Sequence, residues 1–218
     1  MERSLTPLSR PLTDSGLADA VGILASHDSR LAQLRDKNGV PPLWKRPEGF
    51  ATLVKIVLEQ QVSLDSAAAA YSNLEDAIGP VAPEGLLSLD DAELKRIGFS
   101  RQKAGYCRGI ANRLLDGTLD LGGMASLSDV EARAYLMAVK GIGPWTSDVY
   151  VLFALRRADV WPSGDRALVV SMAESLPMSE IPTYEAADEI AEQWRPWRSA
   201  AARMLWHSYL KRRGRSLF

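Results

Sequence analysis

The stretch Leu136-Met-Ala-Val-Lys-Gly-Ile-Gly-Pro-Trp-Thr-Ser-Asp-Val-Tyr150 places two glycines, a proline and a lysine between two helical patterns. One helix is expected to end at Lys140, with a Gly-Ile-Gly hairpin after it. Pro144 then opens the next helix, where its missing N–H costs nothing. Glycine permits positive φ and lets a ligand approach the backbone closely. The N–H groups of such a hairpin, backed by the positive end of the second helix, suit an anion such as a phosphate. A lone Gly-x-Gly also serves as a plain tight turn. Twenty-two residues beyond Gly143 comes Val160-Trp-Pro-Ser-Gly-Asp165, a Gly/Pro loop ending in an acid that opens another helix. An Asp there either caps the helix and no more, or offers a carboxylate that the helix dipole favours. Two basic clusters, Arg101-Gln102-Lys103 and Lys211-Arg212-Arg213-Gly214-Arg215, are candidates for phosphate contacts or for a solvated face.

The elements that must position these groups are helical. The chain has 218 residues, 46% apolar and 24% charged, with a net charge of -1 and a mean hydropathy of -0.11. Those values exclude disorder and a stapled mini-scaffold, and imply one or two compact units. No apolar stretch reaches the ~18 residues of a membrane span. A basic segment followed by an apolar one does not open the chain, so the reading is cytoplasmic and without membrane. Cys107 alone excludes a disulfide framework and a four-cysteine cluster, and His27 and His207 lie far apart. No cofactor and no side-chain metal site is expected. After a polar start, Gly16–Arg35 carries Leu17, Val21, Leu24, Leu31 and Leu34 at helical spacing and is expected to form one helix. Further helices are expected over Glu48–Gln61, from a Ser63 cap to Ile78, and over Asp90–Ile97 behind a capping box Ser88-Leu-Asp-Asp91. Others are expected over Arg101–Leu115, Asp129–Val139, Trp145–Arg156, Arg166–Leu176, Tyr184–Trp194 and Trp197–Lys211. Strand patterns are almost absent. The class is all-α.

The hairpin, the following helix, the Gly/Pro loop and Asp165 together resemble the helix-hairpin-helix–Gly/Pro–Asp superfamily of DNA glycosylases. Glu59-Gln-Gln-Val-Ser63 is similar to the segment from which those enzymes push a wedge into DNA. Arg195-Pro-Trp-Arg198 and the helix bearing Trp206 resemble the 3-methyladenine DNA glycosylase II branch. The resemblance spans roughly residues 17–213 and implies a two-lobed helical enzyme without an N-terminal β-domain. Residues 48–165 would form the central lobe around the hairpin 136–150, and 16–47 with 166–218 the second, with the active-site cleft between them. Asp165 matches the catalytic acid that stabilises an oxocarbenium-like sugar. Trp145 stands where bifunctional members carry the Schiff-base lysine, which implies a monofunctional enzyme with no lyase activity. Trp145 and Trp206 match pocket aromatics, and cation–π attraction of about 0.5–2 kcal/mol suits a charged alkylpurine. Val149 occupies a position where some members carry Tyr, and Trp161 is a further candidate for the pocket. Gln61 matches the residue that fills the gap left by a flipped base. Lys140, Gly141, Gly143 and Thr146 are expected at phosphate. The carbonyls of Met137, Val139 and Ile142 match a main-chain cation site.

The implied reaction is hydrolysis of the N-glycosidic bond of an alkylated purine, of the 3-methyladenine or 7-methylguanine type, in double-stranded DNA by a monomer. Two rival readings exist: the same fold acting on uracil, a mismatched base or an oxidised base, and a non-catalytic helix-hairpin-helix protein that only grips DNA.

Overall fold

The computed structural model describes residues 11–215; the first ten residues of the polar start lie outside them. Twelve α-helices follow one another: α1 (Asp14–His27), α2 (Ser29–Asn38), α3 (Phe50–Glu59), α4 (Leu64–Ile78), α5 (Pro83–Ser88), α6 (Asp91–Ile97), α7 (Arg101–Leu115), α8 (Asp129–Met137), α9 (Pro144–Phe153), α10 (Arg166–Ser175), α11 (Tyr184–Ala191) and α12 (Arg198–Arg212). Short 3-10 turns occupy Gly122–Ser126 and Glu192–Trp194. There is no strand among the described residues, and no helix among them is long and apolar enough to cross a membrane. The chain divides into two compact units, Arg46–Tyr150 and the described residues before and after it.

In the unit Arg46–Tyr150, α3 packs on α4 and α7, and α7 on α5 and α6. The apolar stripe Leu53, Val54, Ile56 and Val57 of α3 is fully buried, with Leu74, Leu86, Leu94 and Ile110 around it. Cys107 lies in this core, and burial pushes its thiol up to about 12. Tyr150 is wholly buried with its hydroxyl accepting the Gly49 N–H at 2.9 Å. In the other unit, α12 packs on α1, α2 and α10 around Leu17, Val21, Leu31, Met172 and Leu205. Arg203 of α12 is also buried there. It donates to the carbonyls of Leu43, Ser199 and Leu152 at 2.9, 3.1 and 2.9 Å, and burial lowers its pKa to about 9.

Two helical expectations need correction. The segment 16–35 is two helices, because Asp28 leaves the helical region (φ -133, ψ 107) and starts α2 afresh. Its Oδ1 accepts the N–H of Arg30 at 2.9 Å, the guanidinium of Arg30 closes a fork on both oxygens, and Trp194 Nε1 donates to Oδ2 at 3.0 Å. Local side-chain bonding of this kind outcompetes a continuous helix. The capping box before α6 is formed by Asp90 and Glu93, each accepting the other's N–H at 2.8 Å, whereas Ser88 ends α5.

The Arg30 hydrogen bonds hold the Asp28 carboxyl at about 2, below the usual 3.8. A carboxyl lowered on folding stabilises the native state above its unfolded value, and that contribution fades as pH falls through the folded one. Thermal unfolding followed from pH 5 to pH 2 should therefore drop more steeply for the parent than for Asp28→Asn, with the difference opening below about pH 4. Parallel curves would refute the assignment.

Candidate active site

Asp165 sits at the N-cap of α10, half-buried, and its Oδ1 accepts two hydrogen bonds, from Leu168 N–H at 2.9 Å and from the indole Nε1 of Trp206 at 3.2 Å. Trp206 is 7% exposed and stacks on Phe153, with ring centroids 5.3 Å apart and planes at 21°. Phe153 in turn lies under the guanidinium of Arg203 at 5.4 Å. The loop leading to Asp165 is fastened along its length. Ser199 Oγ accepts Val160 N–H at 3.0 Å, while Asp188 accepts Trp161 Nε1 at 2.9 Å and Ser163 Oγ at 2.6 Å. Gly164 then turns at φ +80 so that the carboxylate reaches the helix end. An acid held this way keeps one orientation, which suits it to stabilise positive charge as it develops on a reacting group. Asp188 and Ser199 carried no signal in the sequence, since their partners lie 25–39 residues away.

The hairpin is equally braced. Asp148 of α9 is fully buried and forms an ion pair with Arg133 of α8, so the two flanking helices are joined. Gly141 has φ +96, and a Cβ there would fall 2.2 Å from the ring of Tyr106. Gly143 differs: its φ is ordinary and a Cβ would meet nothing within 4 Å. Ile142 is buried and its N–H is spent on the Val139 carbonyl at 3.0 Å.

A third feature belongs to the same unit. Gln61 follows α3 in the left-handed region at φ 55, exposed, beside Val62 at 47% exposure. A non-glycine residue held at positive φ is strained, and such strain marks segments the surroundings over-determine. Here the surroundings are visible. Arg46 grips Glu59 through a two-pronged ion pair at 2.8–2.9 Å, and Lys103 donates to the Leu58 carbonyl at 2.6 Å. Gln60 Nε2 donates to both the Gly141 carbonyl, at 3.0 Å, and Thr146 Oγ1, at 2.9 Å.

Residues 54–196 match the sequence model of a family described as "HhH-GPD superfamily base excision DNA repair protein". The chain belongs to this superfamily. HhH-GPD relatives in Bacillus subtilis include the putative DNA-3-methyladenine glycosylase YfjP, 25% identical over 82% of this chain, and a DNA-3-methyladenine glycosylase, 28% identical over 73%. The chain spans 65% and 57% of the lengths of those two. A solved structure of Schizosaccharomyces pombe 3-methyladenine DNA glycosylase (Mag1) in complex with abasic DNA superposes with a TM-score of 0.80 at 26% identity, covering 86% of this chain and 95% of that one.

Several of the expected site residues have interior partners in the structure. The Thr146 hydroxyl, expected at phosphate, is 2% exposed and accepts Gln60, so it serves the interior. Val149 is 2% exposed and packs in the core. Trp161 is 7% exposed, edge-on to Trp194, with its N–H spent on Asp188; it fastens the loop. Trp145 is half-buried at the second position of α9, and Lys140 is exposed on the hairpin. Both basic clusters lie at the surface, with some of their cations engaged by the protein itself. Lys103 reaches inward, where burial lowers its pKa, while Arg213 pairs with Glu174 at 2.7 Å and Lys211 donates to the Asn38 carbonyl. The described residues hold no group of three or more His, Cys, Asp or Glu able to bind a metal. Of the main-chain cation positions, the Val139 carbonyl accepts the Ile142 N–H at 3.0 Å and keeps a second lone pair.

Proposed function

We propose that the protein is a monofunctional DNA glycosylase that removes alkylated purines, of the 3-methyladenine and 7-methylguanine type, from double-stranded DNA in base excision repair. It would act as a monomer in the cytoplasm. The observation that carries this reading is the Asp165 carboxylate, fixed at the end of a fastened Gly/Pro loop with the Trp206 indole on its Oδ1. The names of the HhH-GPD relatives support the substrate class.

Alkylation at a purine ring nitrogen gives the base a positive charge. When the N-glycosidic bond breaks, its electron pair neutralises the departing base, so no strong general acid is required. The positive charge then resides on the sugar, where Asp165 stabilises it. A water adds at C1′ and releases its proton, which leaves an abasic site. The Trp206 ring, anchored by Phe153, offers an aromatic face near the acid. Exposed Lys140, the hairpin backbone at Gly141 and Gly143, and the tip at Gln61 contact the DNA. Carbonyls of Met137, Val139 and Ile142 would hold a cation that adds positive charge toward a phosphate.

Lyase chemistry requires an amine that forms an imine with C1′. The matching position holds the Trp145 indole, so turnover should leave an intact strand with an abasic site, cleaved only by hot alkali or another enzyme. Borohydride added during turnover should trap no protein–DNA adduct; a trapped adduct would overturn the monofunctional assignment, with Lys140 the first residue to replace. Incubation with methylated duplex and mass spectrometry of released bases tests the reaction itself. Release of 3-methyladenine or 7-methylguanine is expected. Release of uracil or oxidised purines alone would move the assignment to another lesion, and release of nothing would leave a DNA-binding protein.

A further inference from the structure

The side chain of Gln60 has an unusual position: both hydrogens of one amide nitrogen are spent on the hairpin, one on the Gly141 carbonyl and one on Thr146 Oγ1. The next residue, Gln61, is the one at positive φ, and Val62 beside it is exposed. The chain just before is immobilised by Arg46 on Glu59 and by Lys103 on the Leu58 carbonyl. A tip that must push into a base stack has to resist the cost of unstacking and unpairing the base. A floppy tip would bend instead. The hairpin grips the backbone through contacts that carry no base information, so a rigid joint between hairpin and tip turns that grip into leverage.

We propose that Gln60 is a positioning residue that locks the Gln61–Val62 tip to the phosphate-binding hairpin, so that backbone grip and base extrusion act as one piece. The inference rests on the glycosylase reading above and deepens it. Gln60 touches no reacting atom. Its loss should slow extrusion while leaving the chemistry of an already extruded base alone.

The test uses the full chain and duplexes carrying 7-methylguanine, either paired with cytosine or placed opposite an abasic site, where little pairing remains to be broken. A 2-aminopurine neighbour reports unstacking by fluorescence, independently of base release. For Gln60→Leu, single-turnover release from the paired duplex should fall about tenfold, as expected for two lost hydrogen bonds. Opposite the abasic site the loss should be under about threefold, with binding to undamaged duplex within about twofold of the parent. The 2-aminopurine rise should weaken in proportion on the paired duplex. Gln60→Glu keeps the shape, removes both donors and faces the Gly141 carbonyl with a charge, so it should reproduce the pattern if Gln60→Leu folds poorly. Thr146→Ser retains the acceptor and should behave as the parent. Equal losses on both duplexes, or unchanged unstacking, would overturn the joint. A parent that unstacks DNA but releases no base would sink the glycosylase reading alone; a parent that does neither would sink both.

Discussion

Asp165→Asn should lower base release by about a hundred- to a thousandfold, the usual scale for removing a preorganised electrostatic contact to a transition state. The variant separates charge from architecture. The amide oxygen of Asn can still accept from Leu168 N–H and from Trp206 Nε1, so the cap and the indole contact both survive. What the variant removes is the negative charge that, on the proposed mechanism, faces the sugar as the glycosidic bond opens. Melting temperature and DNA affinity should stay close to the parent, and single-turnover release should collapse. A variant that releases 3-methyladenine at the parental rate would remove Asp165 from the mechanism. One that is inactive because it has unfolded would show that the cap, not the charge, is the role.

The second large effect is expected at Gly141. Alanine there must adopt φ +96 and place its Cβ 2.2 Å from the Tyr106 ring, a distance no real contact tolerates. Left-handed strain on a non-glycine residue costs about 1–3 kcal/mol, and displacing a packed ring adds about 1–3 more. Gly141→Ala should thus destabilise the protein by several kcal/mol in denaturant unfolding and cut binding to damaged and undamaged duplex alike. Gly143→Ala should leave stability nearly unchanged, because its Cβ meets open space. The Gly-x-Gly spacing suggests two equivalent glycines serving the ligand; only the first is demanded by the fold. In the double variant Gly141→Ala with Tyr106→Ala, the steric part should be recovered and the φ strain should remain. Equal stability of Gly141→Ala and Gly143→Ala would contradict the packing.

The features legible from sequence were those settled within one turn of chain. Ser63 and Asp165 cap the helices after them, each bonding an N–H three residues on, as their places before the helical patterns suggest. The break at Asp28 escaped because leucines continue at helical spacing on both sides, and periodicity does not register one residue leaving the helix. The short α5 is not legible because six residues are too few to show a helical period, and its packing partner α7 comes later in the chain. The same distinction divides the site. Asp165 and the hairpin were visible as local motifs. Gln60 was not distinguishable from Gln61 in sequence: one faces partners 81 and 86 residues away and the other faces solvent. Asp188, Ser199 and Tyr106 likewise acquire their roles from tertiary contact alone. The partners of the basic clusters are tertiary in the same way, since a run of cations does not reveal that Glu174 or a main-chain carbonyl waits beside it.

The lone cysteine gives the fold a chemical resilience. Methylating electrophiles react with thiolates, and reactivity follows the fraction of thiolate and its access to solvent. Cys107 presents neither, being fully enclosed by the core with its thiol raised to about 12. A protein that works amid the reagents that alkylate DNA would be consumed stoichiometrically by an exposed low-pKa thiol. This chain has a single sulfhydryl, and the fold shields it, so exposure to such reagents should leave the folded protein's cysteine unmodified while the unfolded chain is readily labelled.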